Sequence, residues 1–117
     1  MKTTKEVLNK FHAKYIATID YDEFEEQNYD CGLLEEFNPN HDDVKYVYGD
    51  GCFDDDYEDF ENLLNWVKDN SVEVNEQISV HSSDDSYYIY DNSIFGKMLY
   101  VDAGSDHCIP AIYWLAV

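Results

Sequence analysis

The chain has 117 residues, a length typical of one domain, and with 44% hydrophobic and 16% aromatic residues it can bury a core. It contains 26 Asp and Glu but only seven Lys and no Arg, which gives a formal net charge of −19 at pH 7. The many aromatic residues exclude a disordered acidic tail, and the shortage of cations excludes direct binding to a phosphate backbone, so we expect one folded domain over residues 1–117.

The N-terminal third predicts a helix followed by a strand. Thr3 and Glu6 have the spacing of a capping box, and apolar residues at helical spacing follow, so a short helix is predicted to end near Lys14. Residues 15–21 are rich in β-branched and aromatic side chains and predict a strand. Residues 22–26 fit a strand end, a turn or one helical turn.

A second strand and a second helix are predicted after a loop at residues 27–43. Residues 44–48 have the composition of a strand and lead into a segment of dense acidic residues. Asp55 followed by Glu58 mimics a capping box, and Phe60, Leu63, Leu64 and Val67 then form an apolar stripe at helical spacing. The stripe predicts a helix whose acidic first turn faces outward.

The second half predicts an antiparallel meander. Four segments have strand patterns and are joined by connections of hairpin length, namely residues 76–81, 87–90, 97–101 and 109–117. The last segment is apolar on both faces, which indicates a central strand or one covered on both sides. We therefore expect an α+β fold in a single domain, an antiparallel β-sheet meander with two helices packed on one face.

The acidic residues are unevenly distributed along the chain. From residue 20 to residue 61 there are 17 of them and a single base, Lys45, while four lysines lie within the first fourteen residues. Rigid aromatic side chains such as Tyr29 and Tyr57 lie among these acids and are typical anchors of protein interfaces, whereas Phe24 and Phe53 are expected in the core. The predicted partner-binding residues are Asp20, Asp22, Glu23, Glu25, Glu26, Asp54, Asp55, Asp56, Tyr57, Glu58, Asp59 and Glu61.

Metal binding and catalysis are both disfavoured by spacing. A calcium loop starting at Asp54 would place Asp59 where such loops need glycine. The four His and three Cys lack the short paired spacings of a zinc site, and His107 and Cys108 are strand neighbours that point to opposite faces. We expect no metal, no cofactor and no enzymatic activity.

Targeting signals are not apparent in the sequence. No segment approaches the roughly 20 apolar residues of a membrane span, and the N-terminus lacks the apolar run of a secretory signal. An odd number of widely spaced cysteines fits reduced thiols. These observations predict no membrane association and a location in the cytoplasm of an infected or host bacterial cell.

The acidic segments suggest a partner of opposite charge. Acidic residues three or four apart on a helix have Cβ atoms about 5–6 Å apart, so acids of residues 54–61, extended by those of residues 20–26, could imitate one phosphate track of DNA. In size, acidity and lack of catalytic motifs the chain resembles the phage-encoded DNA-mimic inhibitors of restriction enzymes and CRISPR effectors. That resemblance implies an inhibitor that occupies the groove of a basic nuclease, restriction protein or CRISPR effector.

Two further possibilities stay open at this point. An immunity protein or antitoxin that neutralises a cationic toxin would use the same electrostatic steering with a single partner. A homodimer would lengthen a short acidic track.

Overall fold

The computed structural model describes residues 3–11, 16–27, 33, 37, 43–49, 54–78, 86–102 and 110–115. In chain order its elements are α1 (Thr4–Lys10), β1 (Ile16–Asp20), α2 (Tyr21–Gln27), β2 (Asp43–Tyr48), α3 (Asp54–Asp69), β3 (Ser71–Ile78), β4 (Ser86–Asn92), β5 (Gly96–Asp102) and β6 (Ala111–Leu115). The predicted α+β class is confirmed.

The strands form one six-stranded antiparallel sheet with the order β1-β2-β6-β5-β4-β3. The consecutive strands β3 to β6 make the predicted meander, and β2 and β1 extend it beyond β6. Since β2 and β3 are separated by three strands, the chain must cross the sheet between them, and α3 makes that crossing.

Helices α1 and α3 cover the same face of the sheet, as predicted. Val7 and Leu8 of α1 share one buried cluster with the apolar stripe of α3 and with side chains of β2, β4, β5 and β6. Gly49 permits the close approach of α3 to the end of β2, because a Cβ atom at this position would lie only 2.8 Å from Cδ1 of Phe60. The crossover helix and the sheet are therefore held together by one continuous core.

A second core covers the other face of the sheet. Phe24 of α2 is fully buried there, as predicted, and its ring centroid lies 5.3 Å from that of Phe37 and 5.0 Å from that of Tyr113. Aromatic rings at such separations are typical of well-packed cores. All five residues of β6 are buried, which confirms the prediction of a strand covered on both sides.

Some predicted boundaries are wrong. Helix α1 ends at Lys10 with Phe11 as its C-cap, and α3 begins at Asp54, so that Asp55 lies within the first turn instead of capping it. Residues 22–26, for which one helical turn was among the predicted alternatives, lie within a seven-residue helix, α2. The prediction for β3 began at residue 76, but pairing with β4 starts at Ser71, since backbone pairing forms a ladder even where side chains are exposed.

Asn92 fixes the turn between β4 and β5. Its buried side-chain oxygen accepts hydrogen bonds from the backbone N–H groups of Ile94 at 2.8 Å and Phe95 at 3.0 Å. Its amide nitrogen donates to Ser71 Oγ at 2.8 Å. Gly96 follows with φ of +74°, a left-handed conformation that is typical after a three-residue hairpin loop. One amide thus ties this turn to the start of β3.

Candidate protein-interaction site

The predicted binding residues divide between two elements. The α2 acidic surface consists of Asp20, Asp22, Glu23, Glu25 and Glu26, and all five side chains are exposed. The α3 acidic surface consists of exposed Glu58 and Glu61 and half-buried Asp59. The backbone of residues 54–57 forms the first turn of α3, while the side chains of Asp54, Asp55, Asp56 and Tyr57 lie outside the described part of the structure.

The local sequence explains how the α2 acidic surface forms. Asp20 ends β1, and its carboxylate accepts a hydrogen bond of 2.8 Å from the backbone N–H of Glu23, which is the interaction of a helix N-cap. Tyr21 and Phe24 are buried against the sheet, so the remaining positions of this short helix turn to solvent. The last turn of α2 contains no basic residue to balance its acids.

Asp43 lies beside Asp20 at the same end of the sheet, although the sequence did not predict this pair. It is exposed at the start of β2 and pairs directly with Asp20 of β1 in the antiparallel register. Side chains of directly paired residues point to the same face with Cβ atoms about 5 Å apart, and two like charges in that position are destabilising. The charges at this end of the sheet are therefore concentrated at the expense of stability.

The α3 acidic surface is the solvent side of an amphipathic helix. Phe60, Leu63 and Val67 are buried in the core under α3. Glu58 and Glu61 are three residues apart and both exposed, so their side chains are neighbours on the outer side of the helix. This arrangement follows directly from the predicted apolar stripe.

The two acidic surfaces do not form one track. The buried residues of α2 pack in the core on one face of the sheet, and those of α3 pack in the core on the other. In addition, α2 starts at the end of the sheet where Asp20 and Asp43 pair, whereas β2 carries the chain to the opposite end before α3 begins. The predicted single ridge is therefore wrong, because the sheet separates its two halves, and the binding role of each half stays a prediction.

Several other predicted features fall outside the described residues. These are the aromatic residues Tyr29 and Phe53, all four His and all three Cys. In the described part of the chain, no group of three or more His, Cys, Asp or Glu side chains is placed to hold a metal ion. No helix within the same residues is long and apolar enough to cross a membrane.

Comparisons with protein-family models, with curated proteins and with solved structures find no match to this chain.

Proposed function

We propose that this protein is an acidic DNA mimic that inhibits a nucleic-acid-binding defence protein, of the anti-restriction or anti-CRISPR type, by occupying its basic DNA-binding groove. The observation that carries this proposal is the α2 acidic surface. Its five predicted carboxylates are all exposed, and one of them, Asp20, forms with Asp43 a cross-strand pair of like charges that weakens the fold. A partner that supplies cations would remove this repulsion on binding.

The spacing of these acids suits a groove that binds phosphates. On α2, Glu23 and Glu26 are three residues apart, and Asp22 and Glu26 are four apart. The Cβ atoms of each pair are therefore about 5–6 Å apart. The phosphates along one DNA strand are spaced by about 3.4 Å of axial rise. The dense negative field also favours rapid, salt-sensitive association with a basic surface.

Capture from a bacterial lysate that contains defence systems tests the proposal. The tagged protein is immobilised, bound proteins are identified by mass spectrometry, and the capture is repeated with excess duplex DNA. We expect a DNA-binding protein that is released by the duplex and whose activity on DNA is inhibited. A single toxin-like partner that is indifferent to DNA would overturn mimicry and favour an immunity protein.

Charge reversal then tests the α2 acidic surface itself. Glu25→Lys with Glu26→Lys changes the net charge by +4 without touching the Asp20 cap, and new lysines in the last turn of α2 suit the helix dipole. The matched control is Asp69→Lys with Asp91→Lys, which reverses two exposed acids outside both acidic surfaces. We expect the α2 double variant to raise the Kd for the captured partner protein at least about tenfold more than the control double variant does.

If the two double variants weaken binding of the partner equally, the α2 acidic surface is not the binding site. The loss would then be a nonspecific effect of net charge. The same comparison with Glu58→Lys and Glu61→Lys determines whether α3 contributes. Since the two helices cover opposite faces, we expect only one of the two surfaces to dominate the affinity for a given groove.

A further inference from the structure

A cavity of about 440 Å³ lies between the C-terminal end of α3 and strands β3 to β5. It is separate from both acidic surfaces. Its volume falls in the range of roughly 300–1,000 Å³ found for small-molecule sites. Tyrosine rings and carboxylates dominate its lining, so the chemistry of both groups determines what it can hold.

Three tyrosines form an aromatic wall in this cavity. The centroid of the Tyr88 ring lies 5.7 Å from that of Tyr100 and 6.4 Å from that of Tyr90, with interplanar angles of 19° and 20°. The sheet register produces this arrangement, because Tyr88 pairs with Tyr100 across β4 and β5 and lies two residues from Tyr90. Tyr90 and Tyr100 are buried and Tyr88 is half-buried, so the ring of Tyr88 is the part of this wall on which a planar group can stack.

A β-bulge brings two carboxylates to the same wall. Glu73 pairs with Tyr90 and Glu76 pairs with Tyr88, although residues three apart in a regular strand point to opposite faces. The register shift between Glu73 and Asn75 removes this mismatch, and both glutamates line the cavity together with Asp102. The irregular strand therefore adds two carboxylates to the one that β5 contributes to the described lining.

Lys68 places one cation against this aromatic wall. Its ammonium nitrogen lies 5.6 Å from the centroid of the Tyr100 ring, within the range of a cation–π contact. Among the described lining residues Lys68 is also the one cation, against three carboxylates. The cavity keeps an excess of negative charge that a second cation can neutralise.

Tyr90 contributes a hydrogen-bonding group to the cavity. Its side chain is only 6% exposed and lines the cavity, and among the described residues its hydroxyl has no hydrogen-bond partner. Burial, followed by the charge of Glu73, raises the pKa of Tyr90 from 10 to about 12, so the hydroxyl remains a proton donor to higher pH than that of an ordinary tyrosine. Buried polar groups without a partner are uncommon and are expected at binding sites.

We propose that this cavity binds the guanidinium group of an arginine side chain from a partner protein. Guanidinium is planar and weakly hydrated, stacks on aromatic rings and donates to carboxylates in a fixed fork, which matches parallel tyrosines edged by Glu73 and Glu76. An ammonium group lacks the planar fork. The inference goes beyond the proposed function, because it concerns a cavity outside both acidic surfaces and requires no nucleic-acid mimicry.

The experiment titrates the full chain with Nα-acetyl-arginine amide and records the tyrosine ring signals by ¹H–¹³C NMR. We expect saturable shifts centred on Tyr88, Tyr90 and Tyr100. The neutral isostere Nα-acetyl-citrulline amide should give no saturable shift, and Nα-acetyl-lysine amide should bind more weakly. Equal binding by citrulline would overturn a cation site, and equal or tighter binding by lysine would overturn the guanidinium assignment.

Two pairs of matched variants separate the cavity from general charge. Lys68→Met removes the competing cation and should tighten binding of the arginine probe by about two- to fivefold, whereas Lys5→Met, with the same charge change on α1, should not. Glu76→Gln should weaken binding by a similar factor, whereas Asp91→Asn, on the opposite face of β4 from Tyr90, should not. Equal effects within either pair would refute the proposal. No partner protein enters this assay, so its outcome is independent of the proposed inhibitor function.

Discussion

The pair of aspartates at the end of β1 and β2 allows a direct measurement of what the acidic surface costs the fold. Asp43→Asn removes one of the two charges and keeps a side chain of nearly the same shape. With Cβ atoms about 5 Å apart and both side chains exposed, the repulsion from Asp20 amounts to about 0.5–1 kcal/mol at low ionic strength. We expect the free energy of unfolding to rise by this amount.

A double-mutant cycle isolates the repulsion from other effects. Asp20→Asn preserves the N-cap of α2, because asparagine caps helices as well as aspartate does. Urea unfolding of the wild type, both single variants and the double variant gives the coupling energy without adding ions. The repulsion should disappear in about 1 M NaCl, where the Debye length is about 3 Å.

A control of opposite sign accompanies this cycle. Asp91 pairs across the strands with Lys97, so Asp91→Asn should lower stability slightly where Asp43→Asn raises it. A coupling energy near zero at low salt, or one that 1 M NaCl leaves unchanged, would refute the argument that the α2 acidic surface is retained at a cost in stability.

Two further predictions concern buried polar groups. Asn92→Ala leaves the N–H groups of Ile94 and Phe95 without their acceptor and should lower the free energy of unfolding by about 2–4 kcal/mol in urea; a loss below about 1 kcal/mol would contradict the role of this side chain. Because the pKa of Tyr90 is raised from 10 to about 12, the folded protein binds this proton more tightly than the unfolded chain, and stability falls as pH rises from 10 to 12. At pH 11 this loss is roughly 1 kcal/mol, and Tyr90→Phe should abolish it; an equal alkaline loss in wild type and variant would show that Tyr90 titrates normally.

Local sequence patterns predicted the helices and strands that have a regular apolar periodicity of their own. The apolar stripe of α3 and the two-sided apolar pattern of β6 required no knowledge of the partner elements, because helix and strand periods place side chains on faces. Helix α2 could also have been found. The Asp20 and Glu23 spacing is that of an N-cap followed by an acid at N3, the same signal that correctly located α1 at Thr3.

The composition of the candidate sites was readable from the sequence, but their geometry was not. The acids of residues 20–26 and 54–61 appear close in the sequence, yet the sheet lies between α2 and α3. The pairing of Asp20 with Asp43 and the meeting of Glu73 and Glu76 beside the tyrosines depend on strand register and on one bulge. A shift of one residue in the strand register, or the loss of the bulge, would place these side chains on the opposite face of the sheet.

The sequence by itself therefore determined that this protein is strongly acidic, α+β, and built around a helix and a strand with recognisable apolar faces. Only the tertiary structure decided which charges are neighbours: Asp43 pairs with Asp20 at the end of the sheet where α2 begins, helices α2 and α3 lie on opposite faces, and three tyrosines meet three carboxylates in a cavity. The physical reason is that strand order and register are set by pairing between distant segments, while charge and periodicity are properties of each segment alone.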